Sequence, residues 1–358
     1  MINVLLIIPN RNDATSLYRG MGPFALLRKE FNFNIVTSDT VDESILDLVD
    51  FVFMQRPSTD GHAKVAEMCK INGTPLWIDY DDFLFEVPQD NPAYDAYMKR
   101  EVHNNIVKII RMADVVTVST EQLKRCLQPK GHVLNERVYV VHNALHDKYL
   151  RLKQPFKFKP HINWRGSRTH MRDIMEYAPE VAEFANKHQE STFTFIGDNP
   201  WYLTQNMPRK QAIVVPPMGI NDYFQFITKT NPSIQIVPLH DSMFNRCKSN
   251  IAWIEASLAG AICIAPRWQE WEDKPGCLTY STPEEFRDCL EYAIANPDEM
   301  AQQHALGFEY IQKNLLLSNI NVFRNVLMQC LYALVRGAEV TFPRDGEALE
   351  EEAVMELE

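Results

Sequence analysis

Pro238-Leu-His-Asp-Ser-Met-Phe-Asn-Arg-Cys-Lys-Ser-Asn-Ile-Ala-Trp-Ile-Glu-Ala-Ser-Leu-Ala-Gly260, running straight into Ala261-Ile-Cys-Ile-Ala265, decides the reading of this chain. An apolar run ending at Val237, a polar loop, an apolar helical stretch and a second apolar run make a strand, loop, helix, strand unit. Ser249 or Asn250 suits the N-cap and Gly260 the position just past the helix C-terminus, so a helix of about ten residues is expected between them. Backbone N–H groups left open at such a start, together with the helix dipole, attract an anion, and Arg246 and Lys248 add positive charge beside them. Glu255 lies seven residues after Lys248, two helical turns on. One ligand can therefore meet a cation at a diphosphate and a carboxylate at its ribose hydroxyls; the competing reading is an exposed pair of charges.

The same alternation extends in both directions. Strands are expected at residues 162–165, 192–196, 212–215, 234–237 and 261–265, with helices near 170–187, 220–228, 249–258 and 283–295. Upstream, strands are expected at 4–8, 33–36, 51–54, 76–78, 115–118 and 138–141, with helical stretches at 25–30, 63–71, 94–112 and 120–127. Strands separated by helices imply parallel sheets with right-handed crossovers, so the fold class is α/β with two Rossmann-like, doubly wound domains. The basic, proline-containing stretch 152–160 reads as the connector between a domain at 1–152 and a second at 160–318. A last apolar-periodic helix near 320–336, within 320–345, has no strand after it, and an acidic tail occupies 346–358.

Bulk properties exclude several classes. At 358 residues the chain exceeds what one hydrophobic core usually organises, and its 46% apolar and 23% charged content rules out intrinsic disorder. The apolar stretch 1–9 is too short to span a bilayer and lacks a basic leader, so it reads as a buried strand and no stable membrane insertion is expected. Seven scattered cysteines, none in a Cys-x-x-Cys pair, fit reduced thiols and a cytoplasmic location. A net charge of −11 argues against nucleic acid as the default partner.

The segment 238–265, with what precedes it, resembles the donor half of GT-B glycosyltransferases, the two-domain fold that clamps a nucleotide-sugar, and in particular the retaining family-4-like enzymes of bacterial polysaccharide synthesis and their phage-encoded relatives. The resemblance implies that Glu255, before Ala259-Gly260, binds the nucleotide ribose, and that Arg246, Lys248, Ser249 and Asn250 hold the donor phosphates. The family's other signature glutamate is replaced by Cys247, with Asp241, Asn245 and Arg246 as substitutes. Ile162-Asn-Trp-Arg-Gly-Ser-Arg-Thr-His170 resembles the family's Gly-Ser-x-x-His turn, which assigns Gly166, Ser167 and His170 to the donor phosphates, and Phe195-Ile-Gly-Asp198 resembles the strand end near the base, which assigns Gly197 and Asp198. Pro9-Asn-Arg-Asn-Asp-Ala-Thr-Ser-Leu-Tyr-Arg19 resembles the Ser-x-Tyr-Arg loop, which places Asp13, Tyr18 and Arg19 at the cleft.

Ile78-Asp-Tyr-Asp-Asp82 follows another apolar run, so Asp79, Asp81 and Asp82 are candidates to bind an acceptor hydroxyl, with Asp82 or Asp13 as the base an inverting enzyme would need. The rival reading of these aspartates is an Asp-x-Asp manganese site of single-Rossmann glycosyltransferases, but the separate phosphate-type site around Lys248 favours a metal-free enzyme. The expected activity is transfer of a hexosyl-type group from a nucleotide-diphosphate sugar to a saccharide, lipid-linked saccharide, protein or hydroxymethylated DNA acceptor, without a cofactor. A GT-B nucleotide-sugar epimerase and a non-catalytic binding protein are the alternatives.

Overall fold

The computed structural model describes residues 2–27, 31–128 and 133–344. The expected acidic tail, and residues 28–30 of the helix expected at 25–30, lie outside them.

The first half runs β1 (Ile2–Ile7), α1 (Ala14–Arg19), α2 (Met21–Leu26), β2 (Phe31–Val36), β3 (Phe51–Gln55), α3 (Asp60–Asn72), β4 (Leu76–Tyr80), α4 (Tyr94–Tyr97), α5 (Arg100–Met112), β5 (Val115–Val118), α6 (Glu121–Leu127) and β6 (Val138–Val140). These strands form one parallel sheet in the order β2-β1-β3-β4-β5-β6. The second half runs β7 (His161–Gly166), α7 (Met171–Glu176), α8 (Ala178–Lys187), β8 (Thr192–Gly197), α9 (Trp201–Thr204), β9 (Ala212–Val215), α10 (Ile220–Thr230), β10 (Ile234–Ile236), α11 (Met243–Arg246), α12 (Ile251–Ala259), β11 (Ile262–Pro266) and β12 (Cys277–Tyr280), and continues through α13 (Pro283–Ala295), α14 (Pro297–Asn314) and α15 (Leu317–Val335). Its strands make a second parallel sheet, β12-β11-β10-β7-β8-β9.

Central strands are buried because helices cover both faces; every residue of β3, β4 and β11 is buried, the polar Gln55 and the charged Asp79 included. The terminal helix α15 packs on the first sheet, where Leu327, Met328 and Leu331 join Val4, Leu6, Phe53 and Trp77 in one core. Each of those three fully buried side chains contributes roughly 1.5–3 kcal/mol relative to exposure. No helix among the described residues is long and apolar enough to cross a membrane.

Two expected helices are divided. The 170–187 stretch breaks at Tyr177, because Pro179 in the first turn of α8 lacks the N–H that would have continued the ladder. The 94–112 stretch breaks where Lys99 becomes extended, with ψ 137°. The strand β12 and the helix α14 are additions to the expected elements.

Candidate functional site

In each sheet the chain order reverses once, between β1 and β3 in the first and between β7 and β10 in the second. Loops leaving the carboxyl ends at such a point diverge to opposite faces and open a crevice. The two crevices face each other across a cavity of about 400 Å³.

The C-terminal wall is built around α12. Lys248, Ser249, Ile251 and Ala252 bring the start of that helix to the cavity, and Glu255 follows one turn deeper. Asn250 stands at the N-cap but makes no capping bond; its Nδ2 donates instead to the Glu270 carbonyl at 3.0 Å. In the first turn the Trp253 N–H donates to the Asn250 carbonyl at 3.0 Å, which leaves the N–H groups of Ile251 and Ala252 without an intrahelical partner. Ser249 Oγ accepts from Asn143 Nδ2 at 2.7 Å, across from the first domain.

Glu255 is 4% exposed and receives three donors: Tyr18 Oη at 2.9 Å, Tyr223 Oη at 2.8 Å and Arg165 Nε at 2.6 Å. Burial, reinforced by the Glu255 carboxylate, pushes both tyrosine hydroxyls well above their usual range, so they stay protonated as donors. His170 lines the cavity with its Nδ1 2.8 Å from Asp173 Oδ2. The other Asp173 oxygen accepts from the His240 N–H at 3.1 Å and from Asn245 Nδ2 at 2.7 Å, tying this turn to the loop after β10. Burial pushes the His170 imidazole below its usual value despite Asp173. Trp271 also lines the cavity, and its buried indole N–H has no hydrogen-bond partner among the described residues.

The N-terminal wall is organised by Arg56, which follows β3 in a left-handed conformation at φ 52°. Its guanidinium bonds both oxygens of Asp81 and reaches Asp82 Oδ2 at 2.6 Å. Asp82 Oδ1 meets Lys248 Nζ from the opposite domain at 3.4 Å. Burial drives the Asp82 carboxyl up, but Lys248 and Arg56 outweigh it and hold it at about 2; for Asp81 burial prevails over Arg56 and raises it.

Among the sequence-derived candidates, Tyr18, Asp81, Asp82, Ser167, His170, Lys248, Ser249 and Glu255 line one cavity. Others lie elsewhere. Arg19 is 1% exposed and sealed against Asp79, with contacts of 3.0 and 2.6 Å, rather than open to the cleft. Its guanidinium also donates to the Val141 carbonyl, and Thr117 Oγ1 donates to Asp79 at 2.6 Å. Asp79 therefore points away from Asp81 and Asp82, and no group of three metal-binding side chains occurs among the described residues. Asp13 caps α1 through the Ser16 N–H at 2.7 Å. Arg246 is outside the cavity lining, in a bidentate pair with Asp241 at 2.6 and 2.7 Å. Gly166 and Gly197 sit on adjacent strands, where a Cβ on Gly197 would lie 2.2 Å from the Gly166 carbonyl oxygen, and the Asp198 N–H bonds that oxygen at 3.0 Å. These three residues shape the strand ends beside the cavity without lining it.

Arg56 and Arg165, which line the cavity, and Tyr223, which bonds Glu255, were not singled out from the sequence. Arg56 and Arg165 each close a buried strand at its carboxyl edge, a signal that was available. Tyr223 lies inside α10, where its aromatic ring reads as core.

No family model matches the chain, and a search of curated proteins finds no match. Among solved structures, a sucrose-phosphate synthase from Thermosynechococcus elongatus superposes with a TM-score of 0.69 at 12% identity, over 93% of this chain and 100% of the other. HepE from Anabaena in complex with UDP gives 0.64 at 11%, over 92% and 99%. A putative UDP-N-acetylglucosamine 2-epimerase from Listeria monocytogenes gives 0.58 at 12%, over 97% and 100%. At this identity the likeness establishes the fold: two Rossmann-like domains facing a cleft, in the GT-B arrangement.

Proposed function

We propose that the chain is a glycosyltransferase that moves a sugar from a nucleotide-diphosphate sugar to an acceptor hydroxyl, with the donor on the C-terminal wall and the acceptor on the N-terminal wall. The observation that carries this reading is the meeting of Lys248, the uncapped start of α12 and Glu255 in one interdomain cavity at the switch point of a doubly wound sheet. The solved structures of this fold bound to UDP support a nucleotide donor.

As the bond from the anomeric carbon to the diphosphate breaks, negative charge grows on the leaving oxygen. Lys248 and the open N–H groups of Ile251 and Ala252 at the start of α12 lie where they stabilise it, which makes a divalent metal dispensable in this proposal. Glu255, held by Tyr18, Tyr223 and Arg165, keeps lone pairs for ribose hydroxyls. With retention, the leaving phosphate accepts the acceptor proton and no separate base is needed; with inversion, Asp82, ionised at neutral pH, takes it. Retention is the outcome we propose.

The test is turnover of UDP-sugars and other nucleotide-sugars with a panel of hydroxyl acceptors, with and without EDTA, reading nucleotide release and product mass. Acceptor-dependent release that survives EDTA is expected. Conversion of the donor sugar without an acceptor would replace this reading by epimerisation, and loss of all turnover in EDTA would overturn metal independence.

A further inference from the structure

Resting on the glycosyl-transfer reading, we infer that the acceptor unit entering this cavity is an uncharged polyol, with a neutral saccharide as the matching class, and that Arg56, Asp81 and Asp82 select against phosphorylated acceptors. Among the described residues Arg56 is the only cation lining the N-terminal wall, and it is spent on both carboxylates at once. The triad is left with one net negative charge. Among the described residues Lys248 is the sole outside cation that touches it, through Asp82 at 3.4 Å, and in the proposed donor complex Lys248 would also face the diphosphate. On the N-terminal wall an anionic group on the acceptor would meet two carboxylates and no uncommitted cation, since Arg165 stands on the facing wall paired with Glu255, and like charges set against each other in a half-buried site discriminate strongly.

Hydroxyls suit the same wall. Ionised carboxylates only accept hydrogen bonds, and each has about four lone-pair positions, more than Arg56 and Lys248 occupy. The guanidinium fixes their orientation, so the remaining positions are held ready for a donor of several O–H groups. Leu84, Val87 and Tyr97 beside them, with Phe244 from the facing domain, supply an apolar surface that fits the C–H face of a sugar ring. Nucleic acid is disfavoured on the same grounds, since its phosphodiesters would flank any hydroxyl presented here, and the whole chain carries a charge of −11.

The test uses the full chain saturated with UDP, after UDP binding has been measured by itself. Ligand-observed NMR titrations compare glucose, mannose and N-acetylglucosamine with their own 6-phosphates. At least one neutral sugar is expected to bind about tenfold or more tightly than its phosphate, and Asp81→Asn with Asp82→Asn should move that ratio towards one. Phosphates that bind as well as or better than the neutral sugars would overturn the inference, as would UDP binding with no neutral sugar bound. Failure to bind UDP in the first step would instead remove the donor-site reading on which it rests. The wild-type comparison stands even if the double variant fails to fold.

Discussion

Charged side chains in this molecule divide into those spent on the fold and those held at the cavity. Arg19 and Asp79 are of the first kind. Both are buried, and their guanidinium and carboxylate are matched to each other and to Val141, Asn143 and Thr117. Removing one partner strands the other charge in a dry interior. Asp79→Ala should therefore cost roughly 3–5 kcal/mol in denaturant unfolding, while the folded fraction keeps its nucleotide affinity. A variant as stable as wild type, or one that is stable but no longer binds nucleotide, would contradict this assignment. Sequence position located Lys248, Glu255 and Asp82 at the cavity because each follows a strand end or a helix start, and the family resemblance added Tyr18 and His170. It could not place Arg19 or Arg246, because the choice between ligand and internal counter-charge depends on partners: Asp79, distant in the chain, for one and Asp241 for the other. The place of Arg56 at a strand end was legible, but its role is set by Asp81 and Asp82, which follow the next strand.

At the scale of elements, α12 shows how local rules position the site. Gly260 ends the helix at φ 83°, where a Cβ would lie 2.3 Å from Asn231 Nδ2 and 2.6 Å from the Pro155 carbonyl oxygen. That close approach ties the helix end to the interdomain connector, since Asn231 Nδ2 bonds both Pro155 O and Ala259 O. Gly260→Ala should lower stability by more than the ~1 kcal/mol expected from the left-handed backbone alone, measured by thermal unfolding; an unchanged melting temperature would refute the packing account. Most strands were legible because their near-continuous apolar runs are short and bounded by turn residues. The strand β12 was not, because Cys277–Tyr280 is a half-buried edge with a single fully buried residue. The helix α14 escaped because its buried stripe, Met300, His304, Gly307, Phe308 and Ile311, includes a histidine and a glycine where apolar residues mark a core face. His304 nonetheless serves the core, with its Nε2 2.8 Å from the Ser257 carbonyl oxygen of α12.

The whole molecule is closed over its cavity by contacts between the halves. Tyr18 reaches Glu255 at 2.9 Å, Thr120 Oγ1 donates to the Cys247 carbonyl at 2.9 Å, and Asn143 meets Ser249. Cys126 of the first domain and Cys247 of the second stand with their sulfurs 3.6 Å apart. A disulfide needs about 2.05 Å, so the two sulfurs are in contact without being bonded and one or both side chains must move to join them. Mild oxidation with a disulfide reagent should therefore join Cys126 to Cys247, detected as a linked peptide pair by mass spectrometry and absent in Cys126→Ser. Failure to link under conditions that modify the half-buried Cys126 thiol would mean that the buried Cys247 sulfur does not come within bonding reach of it in solution.

The diphosphate of a nucleotide-sugar is proposed to sit in the interdomain cavity on Lys248 and the start of α12. Calorimetric titration of UDP into the wild-type chain and into Lys248→Ala tests it most directly. Saturable binding is expected in the wild type, weakened in the variant by ~1–3 kcal/mol, the scale of a charge-assisted hydrogen bond. Equal affinity in the two proteins, or a wild type that binds neither UDP nor any other nucleoside diphosphate, would contradict it.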